Sequence, residues 1–188
     1  MRKNITFGIC GAIGSTNMYD YFIFLSRKFN INVVMTDNSK RFISKDVVGY
    51  YVDSVYSSFD DAPSNVLHAD IANKSDLIII MPATANIISK LAYGIADDLL
   101  TTVVLIYNKP ILIAPNMNIN MWNNKIIQNN VSLLKSYGHK FINKNRLSYA
   151  VCDKEFVESD CALPTIKELL EEIECYFKIE KGEDFKSV

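Results

Sequence analysis

Three amides, two thioethers and the chain's single indole crowd into Ala114-Pro115-Asn116-Met117-Asn118-Ile119-Asn120-Met121-Trp122. Asn offers donors and an acceptor, Met fills irregular apolar gaps, and Trp supplies a flat wall. Together they suit a planar, amide-rich ligand whose edge is hydrogen-bonded and whose face is covered. A capped, Asn-rich turn leading into a helix, with Trp122 in the core, accounts for the same residues. Pro82-Ala83-Thr84-Ala85-Asn86 repeats the theme: small side chains let a ligand approach the backbone, and Thr84 and Asn86 can bond its edge. Gly11-Ala12-Ile13-Gly14-Ser15-Thr16 joins an apolar run to a helical stretch, which aims backbone N–H groups at a phosphate. Gly11 and Gly14 do not complete a GxGxxG, and a ligand-free tight turn explains them nearly as well. Thr36 and Ser39, in Thr36-Asp37-Asn38-Ser39, are phosphate contacts or helix caps. His68 is one of two histidines, and a lone His is more often structural than catalytic. His139, in Tyr137-Gly138-His139-Lys140, reads as a surface turn residue without a role.

The four loop clusters each come after an apolar run: residues 5–10, 31–35, 75–81 and 111–113. Pro82 and Pro115 cannot continue a central ladder, so the residues after them lie on loops at strand ends. Residues 52–56 form a further short strand and 141–142 the last one. Helices are expected over 18–29, 40–47, 87–93, 125–137 and 164–177, and from Leu67 onward, while 99–105 reads as helix or strand. This alternation specifies an α/β fold: a single-domain, doubly wound, Rossmann-like or flavodoxin-like sheet, mostly parallel, with helices on both faces. Such a sheet binds ligands outside the carboxyl ends of its strands. Polar loops at four strand ends on one edge are the strongest sequence argument for a nucleotide-like cofactor.

The composition narrows the classes. With 188 residues, 49% hydrophobic and 22% charged, the chain is most simply one globular domain. We take residues 1–177 as that domain and 178–188 as a charged C-terminal tail. A net charge of -1 gives no footprint for nucleic acid or an anionic membrane. No apolar run approaches the ~20 residues that span a bilayer. The start shows no signal-peptide pattern, and Cys10, Cys152, Cys161 and Cys175 lack CxxC spacing, so free thiols in a cytoplasmic protein are expected and no metal site. A Cys152–Cys161 disulfide stays open.

Taken together, Pro82-Ala83-Thr84-Ala85-Asn86, the later Gly94-Ile95-Ala96-Asp97-Asp98-Leu99-Leu100-Thr101-Thr102, the Pro115-to-Trp122 loop and the preceding His68 resemble the homo-oligomeric flavin-containing cysteine decarboxylases. The resemblance runs from about residue 4 to about 130. Asn116, in the Pro-Asn-Met-Asn version, points to the lantibiotic branch, the epidermin- and mersacidin-type enzymes; the coenzyme A branch usually carries Ala there. The resemblance implies FMN or FAD as cofactor and, as substrate, a precursor peptide whose C-terminal Cys is oxidatively decarboxylated to an aminoenethiol. It also implies a trimer with flavin at subunit interfaces, or a dodecamer assembled from it. Oxidation of the Cys to a thioaldehyde makes CO2 loss easy, because the enethiolate is a stable carbanion equivalent; the flavin does the electronic work and the protein supplies orientation and one base.

The same resemblance assigns roles. His68 is the base on the substrate, and Asn118 holds the substrate carboxylate. Pro82, Ala83, Thr84, Asn86 and Met117 line the isoalloxazine, while Gly11, Ser15, Thr36 and Ser39 fall near the phosphate contacts. Asn116 and Met121 belong with Asn118 on the substrate side. The substrate-covering segment is expected around 145–161, where Tyr149 and Phe156 can cover the peptide's penultimate side chains. Cys152 sits close to the Cys that reprotonates the product in the coenzyme A branch, but the glycines flanking that Cys are missing here. Two further readings stay open: a phosphopantothenoylcysteine decarboxylase, which would need Cys152, and a non-catalytic flavin-binding regulatory subunit.

Overall fold

The strand Leu77–Ala83 (β4) is buried at every position, as a parallel strand covered on both faces must be. It is the centre of the computed structural model, which describes residues 2–62, 66–151 and 154–180. Five parallel strands flank it: β1 (Asn4–Ile9), β2 (Asn30–Met35), β3 (Ser54–Tyr56), β5 (Leu112–Pro115) and β6 (Lys140–Phe141). The order is β3-β2-β1-β4-β5-β6, so the winding reverses between β1 and β4. That reversal opens a crevice at the carboxyl ends of these two strands.

Side chains alternate along β4. Leu77, Ile79 and Met81 join one core with α1 (Met18–Leu25), α2 (Lys45–Val48) and, from the chain's end, α8 (Ile166–Glu180). Ile78 and Ile80 join the other with α3 (Leu67–Lys74), α4 (Ala85–Ala92), α5 (Leu99–Ile106) and α7 (Lys125–Ser136). The longer helices offer an apolar stripe at helical spacing, such as Leu169, Ile173 and Phe177 in α8 or Ile127, Val131 and Leu134 in α7. Burying each such side chain is worth about 1.5–3 kcal/mol, so both faces hold the sheet. A short α6 (Ile119–Trp122) comes after β5.

Several expectations change in detail. Asp98 accepts from the Thr101 N–H and Thr101 Oγ1 from the Asp98 N–H, a capping box that makes 99–106 helix rather than strand. The helix expected over 40–47 divides into a 3-10 turn at Asp37–Arg41 and α2, which begins after Ser44. The strand at 140–141 is not the last. A two-stranded antiparallel hairpin, β7 (Arg146–Ala150) and β8 (Glu155–Ser159), comes next, over the segment expected to cover the substrate. His139 is half-buried, not a free surface residue: its Nδ1 accepts from the Ile111 N–H at 3.3 Å, and burial lowers its pKa. Cys10, Cys161 and Cys175 are free thiols, and Cys152 lies outside the described residues. No helix among the described residues is long and apolar enough to cross a membrane.

Candidate active site

A cleft of about 1200 Å³ opens over the carboxyl ends of β1, β2, β4 and β5, and the β7–β8 hairpin closes its far side. The turn after β1 forms one wall. Gly11 packs so closely on the next loop that a Cβ there would lie 2.6 Å from Asn38 Cβ and 2.9 Å from its carbonyl, which only glycine allows. Gly11 and Thr36 both line the cleft. The hydroxyls nearby turn away from it: Ser15 donates to the Cys10 carbonyl at 2.8 Å, Ser39 to the Thr36 carbonyl at 2.6 Å, and Thr36 to the Ile9 carbonyl at 3.3 Å. Ser15 and Ser39 are fully buried beneath the cleft.

The floor comes from β4 and the start of α4. Pro82 and Ala83 are buried under it, while Thr84 and Asn86 line it. Pro82 has no N–H to give the ladder, and the pairing with β5 shifts register between Ile80 and Ala83. Thr84 Oγ1 caps α4 by accepting from the Ile87 N–H at 3.3 Å. Cys10 also lines the cleft, although it is buried and belongs to the core beneath. Burial pushes its thiol up to about 12, against a backbone hydrogen bond from Thr84, so it stays protonated and unreactive. Lys90, at the same wall, is held by Asp97 at 2.6 Å and Asp98 at 3.5 Å; those contacts, Asp97 first, raise its pKa.

The loop after β5 supplies the amides. Asn116 Oδ1 accepts from the Gly14 N–H at 3.1 Å and its Nδ2 donates to the Cys161 carbonyl at 3.1 Å. One side chain thus ties the turn after β1, the loop after β5 and the exit of the hairpin together. A Cβ on Gly14 would lie 2.7 Å from that oxygen, so the tie also requires a glycine. Asn118 caps α6, its Oδ1 accepting from the Asn120 N–H at 2.8 Å, and its Nδ2 makes no hydrogen bond among the described residues. Asn116, Met117, Asn118 and Met121 all line the cleft. Trp122 does not: it is 5% exposed, 6.5 Å from Phe141, and belongs to the core.

The hairpin divides its side chains by alternation. Arg146, Ser148, Ala150, Val157 and Ser159 line the cleft. Leu147 and Phe156 fall on the outer face, with Phe156 packed edge-on against Tyr149 at 5.4 Å. Tyr149 reaches the cleft at its rim and Phe156 does not. His68 stands apart from the cleft of its own chain, in the first turn of α3. Its ring is 5.9 Å from that of Phe59, and its Nδ1 is buried with no hydrogen-bond partner among the described residues. Arg146, Asn38, Lys90 and Tyr21 were not singled out in the sequence. The only signal for Arg146 was the period-2 pattern it shares with Ser148 and Ala150.

These residues fit a flavin. The cleft has room for a ring system and a ribityl phosphate, amides and small residues surround its floor, and two tight turns offer backbone rather than side chains at one end. No group of His, Cys, Asp and Glu among the described residues could hold a metal ion.

The flavoprotein family model matches residues 1–177. The epidermin decarboxylase of Staphylococcus epidermidis is 39% identical over 126 residues, which are 66% of this chain and 68% of that one. The mersacidin decarboxylase of a Bacillus species is 36% identical over 138 residues, 73% of this chain and 71% of that one. Among solved structures, a variant of the peptidyl-cysteine decarboxylase EpiD, complexed with its substrate peptide DSYTC, superposes with a TM-score of 0.83 at 31% identity, covering 91% of this chain and 98% of that one.

Proposed function

The chain belongs to the flavoprotein family, and from that premise we propose that it is a flavin-dependent peptidyl-cysteine decarboxylase, acting oxidatively on the C-terminal Cys of a precursor peptide to leave an aminoenethiol. The observation that carries this reading is the convergence of Thr84, Asn86, Asn116, Met117 and Asn118 on one cleft at the switch point, under a hairpin that can cover a peptide. The cofactor is FMN or FAD. Thr84, Asn86 and Met117 hold the ring, and Gly11 and the loop at Thr36 hold the phosphate. Because the hydroxyls of Ser15, Ser39 and Thr36 already donate to carbonyls, the phosphate is left to backbone N–H groups of the two turns.

A flavin bound there would supply the two-electron acceptor for oxidation of the cysteine Cβ–Sγ unit. The chain's own residues handle the proton and the carboxylate. Oxidation to a thioaldehyde must also remove the Sγ proton, and His68 is the base that takes it. The Asn118 NH2 holds the carboxylate until it leaves as CO2. Asn116, whose amide is engaged at both ends, acts by fixing the hairpin rather than by gripping the peptide.

His68 does not line its own chain's cleft, so we assign it to the cleft of a neighbouring copy in a homo-oligomer, a trimer or a dodecamer built from trimers. Phe59, 43% exposed beside it, and Val66, 52% exposed two positions before it, are the kind of apolar surface such a contact covers. The protein is assigned to the cytoplasm.

The test is spectroscopic. Under anaerobic conditions, a Cys-terminated peptide added to the yellow protein bleaches its visible flavin absorbance, and the same peptide ending in Ser does not. Colour that persists with every Cys-terminated peptide contradicts the proposal.

A further inference from the structure

Arg146 stands at the root of the hairpin, on the cleft-facing side of β7 and directly across from Ser159. Its Nη2 donates to Glu168 Oε2 at 2.7 Å, and only 23% of its side chain is exposed. Its Nε is buried with no hydrogen-bond partner among the described residues. A guanidinium is a rigid fork whose donors suit carboxylate oxygens in pairs, and buried donors are almost always bonded. An idle buried N–H beside an engaged one means that the protein does not use the fork's full donor capacity.

Glu168 is not that acceptor. Its Oε2 already accepts from the Thr165 N–H at 2.7 Å and the Thr165 hydroxyl at 2.9 Å, and its Oε1 faces the Lys144 ammonium at 3.4 Å. One carboxylate is thus shared by two cations, Arg146 and Lys144. The rest of the lining face is short, with Ser148, Ala150, Val157 and Ser159, so nothing on it fills the space before the arginine. The turns suited to a flavin phosphate come after β1 and β2. Although the chain enters the hairpin from β6, Arg146 also acts electrostatically on Tyr21 of α1, so peptide and phosphate are separated by experiment.

We propose that Arg146 is a specificity-determining contact that takes a carboxylate side chain of the substrate peptide, upstream of its terminal cysteine. This rests on the peptide-decarboxylase reading and adds a substrate class to it: precursor peptides with an acidic residue shortly before the reacting Cys. Glu168 is the positioning residue that presents the fork.

The experiment uses the flavin-loaded protein with fluorescent pentapeptides ending in Cys, one Asp being stepped through the preceding positions against an all-neutral reference. Affinity and turnover are both read. At one position Asp tightens binding on the order of tenfold, the ratio one charge-assisted hydrogen bond supplies, and Arg146→Gln brings that ratio close to one. Arg146→Lys keeps a cation over Glu168 without the fork and retains part of the preference, which separates lost recognition from lost folding. Equal affinity for acidic and neutral peptides, or a ratio that Arg146→Gln does not move, overturns the inference and leaves peptide decarboxylation standing. Flavin loss in Arg146→Gln with the ratio intact gives the arginine to the cofactor phosphate and overturns it too. An Asp preference that depends on Arg146, without turnover of any Cys-terminated peptide, supports the contact and defeats the decarboxylase reading instead.

Discussion

Asn116 and His68 mark two different ways in which a residue type points to chemistry. Asn116 bonds the Gly14 N–H and the Cys161 carbonyl with the two ends of one amide. Asn116→Ala leaves both groups unpaired in a half-buried place, and should cost about 2 kcal/mol, read as a lowered Tm and as faster amide exchange around 159–163. His68 has a buried Nδ1 with no partner among the described residues, an arrangement that stability alone does not favour. His68→Asn should lower turnover by roughly 100-fold or more, the contribution of a positioned base, while the purified protein stays yellow; near-normal turnover would remove His68 from the mechanism. The amide-rich loop was legible because its residue types are unusual together. What was not legible is that Asn116 uses its amide on the protein's own backbone, since those partners lie 102 and 45 positions away. Trp122 was open to two readings, and burial against Phe141 chose the core.

At the scale of elements, the strand runs and their proline ends were readable because a covered parallel strand is apolar throughout and Pro interrupts its ladder. Each of the four expected loops does reach the cleft. The hairpin was not readable. It buries neither face in a core, so Leu147, Tyr149 and Phe156 stay exposed while Ser148, Ala150 and Ser159 turn inward, the reverse of the usual alternation. The run Thr101-Thr102-Val103-Val104 left α5 ambiguous for a related reason: β-branched residues suit strands, and only the Asp98 capping box decides for a helix.

The hairpin's root is also where pH should act. Hydrogen bonds from Thr165, then the contact with Arg146, hold the Glu168 carboxyl down at about 2, against an ordinary 4.5. The folded value lies below the unfolded one, so this anchor contributes fully above about 4.5 and is lost as pH falls through about 2. Amide exchange in β7 and β8, corrected for its intrinsic rate, should therefore quicken as pH falls through that window. In Glu168→Gln it should be fast on both sides of it and show no such step.

For the whole molecule, the consequence of the fold is that one chain carries the cofactor cleft and holds His68 outside it. If the base comes from a neighbouring copy, His68→Asn and Asn118→Ala are each inactive alone, yet mixed oligomers regain activity, because some clefts receive an intact His68 beside an intact Asn118. Sedimentation should show an assembly larger than one chain, and no recovery on mixing would place His68 and its cleft in the same subunit. The Rossmann-like order was foreseeable from alternating strands and helices, whereas the proposed sharing of the site between copies would leave no signature in local pattern.

The most direct measurement is the mass of a Cys-terminated peptide after incubation with the purified yellow protein. Oxidative decarboxylation predicts a loss of about 46 Da, CO2 plus two hydrogens. An unchanged mass for every such peptide, together with a loss of about 44 Da from phosphopantothenoylcysteine, would contradict the account and make the protein a coenzyme A enzyme whose flavin ends each turnover oxidised.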